Sequence, residues 1–201
     1  MRKLRLSLLV AMLVIVTAAS AQLNLGIKGG LNMSNMVGDK IDDSNMKLGF
    51  HAGIAADYEF MPSMALQTGL FFSTKGAKAN VVGNTDASIN SMYLQVPVHF
   101  AYKLDATPGT RIVFHAGPYV AYGVGGKVKV GDKNLADVFG DKGFFKAFDA
   151  GLGLGVGAEF GPILVDVGWD MGLVNIANKM LTDLGGKARN QNAYLSVGYK
   201  F

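Results

Sequence analysis

The feature that most constrains the fold is a glycine at every second position of AGLGLGVGAEF, residues 150–160. The glycines are Gly151, Gly153, Gly155 and Gly157, with leucine or valine between them. A dinucleotide-binding loop needs the spacing G-x-G-x-x-G between a strand and a helix, whereas this segment has a strict period of two. Because alternate residues of a strand face opposite sides of a sheet, the segment predicts a strand with one apolar face and one nearly bare face.

The first 21 residues have the composition of a secretory signal peptide. A basic start at residues 2–5 is followed by an uncharged apolar stretch from Leu8 to Val16, and the segment ends in the small residues Ala19-Ser20-Ala21. The alternative is a single membrane anchor, but the apolar stretch is shorter than the roughly 20 residues that a spanning helix needs. We therefore predict cleavage after Ala21, which leaves residues 22–201 as one domain.

Charge and cysteine content exclude several classes of protein. The chain has 19 Lys and Arg against 15 Asp and Glu, and Arg2, Lys3 and Arg5 lie in the predicted leader. Without the leader the net charge falls from +4 to +1, so composition gives no reason to expect nucleic-acid binding. The absence of cysteine excludes a disulfide scaffold, a thiolate metal site and a cysteine nucleophile.

Alternation of apolar and polar residues continues beyond the leader and predicts eight strands. The segments with this period are 23–34, 48–60, 64–75, 94–103, 111–124, 148–160, 163–172 and 193–201. Short and long connections alternate between them. The short ones are 61–63, 105–110 and 161–162, and the long ones are about 35–46, 76–90, 127–146 and 175–191. This order predicts an up-and-down sheet with its short turns at one end.

Two local features set expectations for strand pairing. Gly161-Pro162 suits a two-residue type II′ hairpin, in which glycine takes the positive φ. That turn gives three pairs: Phe160 with Ile163, Gly153 with Asp170, and Gly157 with Asp166. Pro97 and Pro118 cannot donate a backbone hydrogen bond, so we expect a bulge or register defect at one or both.

Aromatic residues end the apolar faces at two levels. Those near the short turns are Tyr58, Phe60, Tyr102, Phe160, Tyr199 and Phe201, and those near the long connections are Phe50, Phe72, Tyr122 and Phe148. Two aromatic belts fit the two interfaces of a bilayer, where an open sheet edge is not tolerated. We predict an all-β fold, an eight-stranded antiparallel up-and-down transmembrane β-barrel. The alternative is a soluble barrel with its apolar residues inside, which would leave glycines and paired charges on the exterior.

Five segments and the C-terminus carry a family resemblance. The segments are GIKGGLNMS (26–34), GFHAGIAADYEF (49–60), ALQTGLFFSTKG (65–76), YLQVPVHFAYKL (93–104) and HAGPYVAYGVGG (115–126). They resemble the outer-membrane β-barrel domain family, described as porin-like or PorT-like. The final YLSVGYKF, with Leu195, Val197, Tyr199 and Phe201 at alternate positions, resembles the signal that the barrel-assembly machinery recognises.

This resemblance implies a place and partners but no activity. We expect the protein in the cell outer membrane, in contact with membrane lipid and lipopolysaccharide, with the barrel-assembly machinery as its partner during biogenesis. We expect a monomer and no nucleic-acid partner. The family has no shared catalytic motif that could be carried over to this sequence.

Inward-facing polar residues are predicted to form a charge-compensated network. An eight-stranded barrel is just wide enough for side chains to fill, and ions in such a confined space need partners. The predicted members are Lys28, His51, Asp57, Glu59, Lys75, Gln95, His99, Lys103, Arg111, His115, Asp149, Glu159, Asp166 and Asp170. The carboxylates could also be interpreted as acid–base pairs, but they are spread along the barrel wall.

The histidines are the candidate metal ligands. The predicted hairpin register puts His99 directly across from His115, with His51 two strands away. A zinc site normally needs a third or fourth ligand and supporting hydrogen bonds, so lumen hydrogen bonding is favoured. We expect no metal, no cofactor and no catalytic residue.

The leading functional hypothesis is a non-enzymatic barrel that presents long extracellular loops for surface structure, adhesion or partner binding, with both termini in the periplasm. The alternatives are a narrow channel for small solutes and a membrane-embedded lipid-modifying enzyme. In the long loop 127–146, Phe139, Phe144 and Phe145 could form an exposed adhesive tip. For Phe144 and Phe145 we favour instead the start of the next strand at the membrane rim.

Overall fold

The computed structural model describes residues 22–38, 44–81, 85–130, 133–140, 143–178, 182 and 186–201. These residues contain nine strands: β1 (Leu23–Val37), β2 (Ser44–Met61), β3 (Met64–Val81), β4 (Thr85–Thr107), β5 (Thr110–Val130), β6 (Lys133–Asp137), β7 (Phe148–Phe160), β8 (Ile163–Gly172) and β9 (Arg189–Lys200). No helix in this part of the chain is long and apolar enough to cross a bilayer. The leader at 1–21 lies outside the described residues, and its cleavage stays a prediction.

Eight of these strands form a closed antiparallel barrel. Neighbours along the chain pair from β1 to β5 and from β7 to β9, β5 pairs with β7, and β1 pairs with β9. The closing pair is long, running from Gly26 opposite Lys200 to Val37 opposite Arg189. Closure pairs both edges of the sheet and confirms the predicted fold class.

The two ends of the barrel differ in their connections. One end carries the tight turns at 62–63, 108–109 and 161–162, and we call it the short-turn end; the opposite end is the long-loop end. β6 belongs to the long-loop end. It pairs with the last residues of β5, Lys127–Val130, beyond Tyr122, where β7 begins its own pairing with β5.

Apolar side chains cover the outer face of the barrel, as the period of two predicts. Their exposed fractions run from 36% for Phe60 to 66% for Leu48 along the strands. The inner face holds buried charged groups such as Lys103, Asp149 and Asp166. A soluble barrel with an apolar interior is therefore excluded, because a protein in water does not leave a continuous belt of large apolar side chains exposed.

The predicted β7–β8 hairpin is confirmed. Gly161 has a φ of 58°, a conformation that glycine adopts without steric cost. The predicted pairs of Phe160 with Ile163, Gly153 with Asp170 and Gly157 with Asp166 are all present. A single two-residue turn thus aligns the bare positions of β7 with the carboxylates of β8.

The prediction of a register defect at Pro97 or Pro118 was wrong. Both prolines keep the register of the pairs on either side of them. The register shifts between β4 and β5 occur instead at Tyr93 and Thr107. A missing N–H removes one ladder hydrogen bond, and the long pairings on both sides of these strands hold the backbone in line without it.

Two of the predicted long loops are largely strand. β3 continues to Val81 and β4 begins at Thr85, so most of 76–90 is a hairpin. Within 127–146, β5 continues to Val130 and β6 follows it. These extensions lack the strict apolar alternation that marks the membrane-facing segments. Ladder hydrogen bonds nevertheless continue wherever both partner strands extend.

Candidate functional site

The alternating glycines of β7 make room for polar side chains that lie across this part of the inner wall. A Cβ atom added at Gly153 would lie 2.7 Å from His99 Nε2 and 2.8 Å from Asp170 Oδ1. One added at Gly155 would lie 2.6 Å from His115 Nε2. Real Cβ atoms essentially never approach within 3.0 Å of another group, so side chains here would displace both histidines.

The short-turn end of the lumen is filled by ion pairs, which we call the ionic cluster. Its members are Asp57, Glu59, Lys103, Arg111, Glu159 and Lys200. Lys103 is its centre, because its buried Nζ lies 2.7 Å from Asp57 Oδ2, 2.6 Å from Glu59 Oε1 and 3.2 Å from Glu159 Oε1. Burial of these charges is tolerable only because each has opposite charges beside it.

Arg111 and Lys200 link the carboxylates around Lys103. The Arg111 guanidinium donates to both oxygens of Glu59, at 3.1 and 2.9 Å, and to Glu159 at 2.7 Å. Lys200 donates to Asp57 at 3.0 Å and also to Glu159. The cluster joins five strands around the barrel, so it ties the wall together at this end.

A chain of polar contacts crosses the middle of the lumen. Lys28 on β1 donates to Asp166 on β8, whose other oxygen lies 2.8 Å from His115 Nε2. His115 Nδ1 lies 3.0 Å from His99 Nδ1, and the two rings are stacked with centroids 5.1 Å apart. The predicted contact between these two histidines is therefore present.

The register predicted for that contact was wrong. His115 lies opposite Ala101, two residues away from the predicted partner His99. β4 extends to Thr107 and β5 begins at Thr110, so the turn is tighter than the predicted connection 105–110 and a register shift precedes it. The histidines meet diagonally, since both project inward next to bare glycine positions.

His51 is separate from this pair. Its Nδ1 lies 2.8 Å from Asn32 Oδ1 and its Nε2 lies 2.8 Å from Ser196 Oγ, so both ring nitrogens are occupied. The rings of Phe71 and Tyr194 pack edge-on against it. Within the described residues, no group of three or more His, Cys, Asp or Glu side chains is arranged to hold a metal ion.

Lys75 and Asp149 lie nearer the long-loop end. The Lys75 ammonium is 4.0 Å from Asp149 Oδ2, and it sits 4.7 Å from the ring centroid of Tyr119 and 5.6 Å from that of Tyr93. Asp149 also accepts a hydrogen bond of 2.9 Å from Asn190 Nδ2. The aromatic faces therefore compensate part of the charge of this buried lysine.

An apolar cluster closes the lumen at the long-loop end. Its buried members are Met36, Ala77, Val138, Phe145, Ile176, Ala177 and Ala188, and Ile89, Val128, Phe139 and Phe144 pack against it. We call this group the apolar plug. Residues from strands and from long connections contribute to it, so the connections fold back over the barrel opening.

The structure contradicts both predictions for Phe139, Phe144 and Phe145, namely an exposed tip and the start of the next strand. Phe145 is buried and pairs with Ala177 in an isolated bridge, and β7 begins only at Phe148. Phe139 packs edge-on against Tyr93 with ring centroids 5.3 Å apart. Neither an exposed tip nor a strand start describes these residues, because the barrel opening offers an apolar surface that they can cover.

A cavity of about 100 Å³ runs from the middle of the lumen toward the short-turn end. Its lining includes Gln95, His99, Asp170, Asn192 and Tyr194 in the middle of the lumen. The lining also reaches Asp57 and Lys200 of the ionic cluster. The cavity therefore extends toward the short-turn end and stops below the plug.

The structure adds polar residues that the predicted network lacked. They are Asn32, Tyr93, Tyr119, Asn190, Asn192, Tyr194 and Ser196, all of which hydrogen-bond to, pack against or lie beside a predicted member. Each lies an even number of positions from an inward-facing residue of the same strand. The alternation of inward and outward residues therefore also predicts that these side chains face the lumen. The predicted list stopped at charged residues, histidines and one glutamine.

The residues of the predicted assembly signal lie on the outer face. Leu195, Val197 and Tyr199 are about half exposed, and Phe201 is the most exposed of the large apolar residues. The backbone N–H of Phe201 donates to the carbonyl of Leu25 at 2.8 Å, which fixes the C-terminus against β1. Recognition of this strand by the assembly machinery stays a prediction.

The comparison with protein families assigns the class of protein. A profile of the outer membrane protein β-barrel domain matches residues 18–178. The match covers most of the chain, so the protein belongs to this family, and it is a transmembrane β-barrel protein of the outer membrane. No curated protein matches the sequence.

Solved structures of other barrels resemble the chain at low sequence identity. Neisserial surface protein A is 15% identical, with a TM-score of 0.46, over 88% of this chain and 97% of that one. Ail, the attachment invasion locus protein of Yersinia pestis, is 13% identical, with a TM-score of 0.44, over 89% of this chain and 98% of that one.

Proposed function

We propose that this protein is a non-enzymatic surface barrel that presents the hairpins of its long-loop end to a partner outside the cell. One observation carries the proposal: the lumen is occupied by the ionic cluster at one end and the apolar plug at the other. An interior that is largely filled and is covered by the plug at its long-loop end suits a scaffold. The surface that remains for recognition is the set of connections above the membrane-facing belt.

The long-loop hairpins have the rigidity that a binding surface needs. The β3–β4 and β5–β6 hairpins are paired strands, and Val138 and Phe145 anchor the connection after β6 in the plug. Preorganised surfaces lose less conformational entropy on binding than flexible loops do. This anchoring supports a surface that can bind a partner without changing its fold.

The charge of these hairpins favours an acidic partner. Lys78, Lys127 and Lys129 are exposed on β3 and β5, and Lys78 and Lys129 face Ser88 of β4 from either side. The exposed Asp137 lies opposite Lys127 and compensates one of these charges. The remaining positive charge would steer an anionic surface toward the hairpins.

The two alternative functions have less support. A channel needs a continuous path, and the cavity stops below the plug. An acyl-transfer enzyme needs a nucleophile beside an activated histidine. In this lumen the contact of Asp166 and His115 leads to the ring of His99 and not to a hydroxyl. The histidine that does contact a hydroxyl, His51 at Ser196 Oγ, has the neutral amide of Asn32 on its other ring nitrogen and not a carboxylate.

A labelling experiment tests the orientation that the proposal requires. The chain has no cysteine, so a single Lys78→Cys or Asp105→Cys substitution gives a unique thiol at the long-loop or short-turn end. We expect a membrane-impermeant maleimide to label K78C on intact cells and D105C only after the outer membrane is opened. Labelling of D105C alone on intact cells would reject the proposed orientation.

A binding experiment tests the surface itself. Cells that display the protein should bind beads coated with an acidic polymer, and the variant K78Q/K127Q/K129Q should bind them at least several-fold less at low ionic strength. D105N, which changes one exposed charge at the other end, is the matched control and should bind as the wild type does. Stable conductance steps in a planar bilayer, with bead binding unchanged in the triple variant, would favour the channel.

A further inference from the structure

We infer that the mid-lumen cavity is a binding site for a small protonated amine, of the size of ammonium or methylammonium, with Asp170 at its centre. The inference does not depend on the proposed surface function. It rests on the charge of Asp170, on three buried polar atoms around it and on the size of the cavity.

In the part of the chain that the structure describes, Asp170 is the predicted lumen carboxylate that has no counter-ion. Every other predicted lumen carboxylate has a basic group within 4.0 Å. Among the described residues none is that close to Asp170, which is 3% exposed and accepts a 3.0 Å hydrogen bond from Gln95 Nε2. An uncompensated buried charge is costly, so a cation beside Asp170 would be strongly favoured.

Three further polar atoms lie around this carboxylate, and none of them has a hydrogen-bond partner among the residues that the structure describes. They are Gln95 Oε1, His99 Nε2 and Asn192 Oδ1, on side chains that are all more than nine-tenths buried and line the cavity. Asn192 lies directly opposite Asp170 in the β8–β9 pairing. His99 Nε2 lies 2.7 Å and Asp170 Oδ1 lies 2.8 Å from the point where a Gly153 Cβ would be, so both atoms border the same space over that glycine.

With both imidazoles neutral, the hydrogen-bond chain determines what His99 offers to the cavity. His115 Nε2 can bond to the Asp166 carboxylate only as a donor. In a neutral His115 the Nδ1 atom is then an acceptor, so His99 must donate from its own Nδ1. The Nε2 atom of His99 is left with a lone pair.

These groups define the chemical class of the ligand. A carboxylate, two amide oxygens and an imidazole lone pair are all acceptors, so the matching ligand is positively charged and carries several N–H donors. A cavity of about 100 Å³ holds about three groups of the size of water. The lining reaches Asp57 and the partly exposed Lys200, so a ligand would enter past the ionic cluster at the short-turn end.

Isothermal titration of the detergent-solubilised, folded protein with methylammonium chloride tests the site. We expect saturable binding that sodium chloride and tetramethylammonium chloride at equal ionic strength do not reproduce, because sodium has no N–H donors and tetramethylammonium has none and is larger. D170N keeps the shape of the side chain and removes its charge, and should weaken binding by roughly tenfold or more. D105N is the matched control and should bind with unchanged affinity.

A second variant keeps the test independent of any one substitution. N192L replaces one acceptor with an apolar side chain of similar size and should weaken methylammonium binding several-fold. Folding of each variant is checked by its heat-modifiable shift on a gel. Absence of saturable binding to the wild type, an equal response to tetramethylammonium, or full binding by folded D170N and N192L would each overturn the site and leave a cavity for water.

Discussion

The two ends of the lumen are closed by opposite kinds of chemistry. At the short-turn end the ionic cluster joins charged side chains from five strands around Lys103. At the long-loop end the apolar plug combines side chains from strands and from the connections above them. The apolar plug is stabilised by the removal of water from its side chains. The ionic cluster loses hydration when it is buried, and its ion pairs offset that cost.

The difference between the two ends lies in their tolerance of change. A buried ion pair depends on every partner, since removing one leaves another charge buried without compensation. An apolar cluster depends on volume, and its neighbours can partly fill a gap. The short-turn end should therefore be the more sensitive end, and the following experiments compare the two.

The largest effect is expected from Lys103→Met. This change leaves Asp57, Glu59 and Glu159 without their shared central cation, and should lower the free energy of unfolding by about 3–5 kcal/mol. Urea unfolding in detergent, followed by the fluorescence of the single tryptophan, Trp169, measures it. The exposed Lys127→Met is the control, with an expected change within about 0.5 kcal/mol. An equal decrease in the free energy of unfolding of both variants would show that the ion pairs of Lys103 do not stabilise the barrel.

A smaller effect is expected from Ile176→Ala in the plug. Ile176 is fully buried, and its truncation should cost about 2 kcal/mol, at the low end for large-to-small core changes, because the rim can collapse into the space. Leu173→Ala, at a position that is half exposed, is the matched control and should cost less in the same urea experiment. If I176A exceeds K103M, the proposed ranking of the two ends is reversed.

Arg111→Lys should have a smaller effect again, about 1 kcal/mol. The positive charge is kept, but a lysine cannot reproduce the two-pronged contact with Glu59 and the contact with Glu159 together. The position is partly exposed, so water replaces part of what is lost. A shift in urea midpoint with an unchanged slope is the expected result. A variant as unstable as K103M would mean that geometry, and not charge, holds this cluster together.

The smallest expected effect is the interaction energy between substitutions at the two ends of the lumen. Because the plug and the ionic cluster lie at opposite ends of the lumen, K103M and I176A should be additive within about 0.5 kcal/mol. Within the ionic cluster, K103M and E159Q remove the same ion pair and should be clearly non-additive. A large coupling between the ends, measured by a double-mutant cycle, would mean that the barrel wall transmits strain between them.

Side-chain facing was the most predictable property of this chain. The period of two placed Leu154 outside and Asp166 inside, because alternate side chains of a strand must point to opposite faces. The two-residue turn at Gly161-Pro162 also fixed the β7–β8 register. These predictions needed only local geometry, which neighbouring residues specify.

The errors concern features that depend on distant parts of the chain. The predicted β4–β5 register differs from the observed one by two residues at His115, which pairs with Ala101 and not with His99. The observed register depends on both the tight turn and the irregularity next to it. Pro97 and Pro118 caused no shift, because the strands on both sides hold them in place. The local sequence predicts a strand start at Phe145, whereas its burial depends on Ile176 and Ala188, which are remote in sequence.

The sequence by itself determined the all-β class, the inward and outward faces and the membrane-facing belt, because these follow from a local period and from the need to pair every backbone group in lipid. Only the tertiary structure decided which charges meet at Lys103, what closes the long-loop end and which inward carboxylate, Asp170, has no counter-ion within the described residues. Those contacts join strands across a closed ring, and no local pattern specifies which inward side chains will share the same level of the lumen.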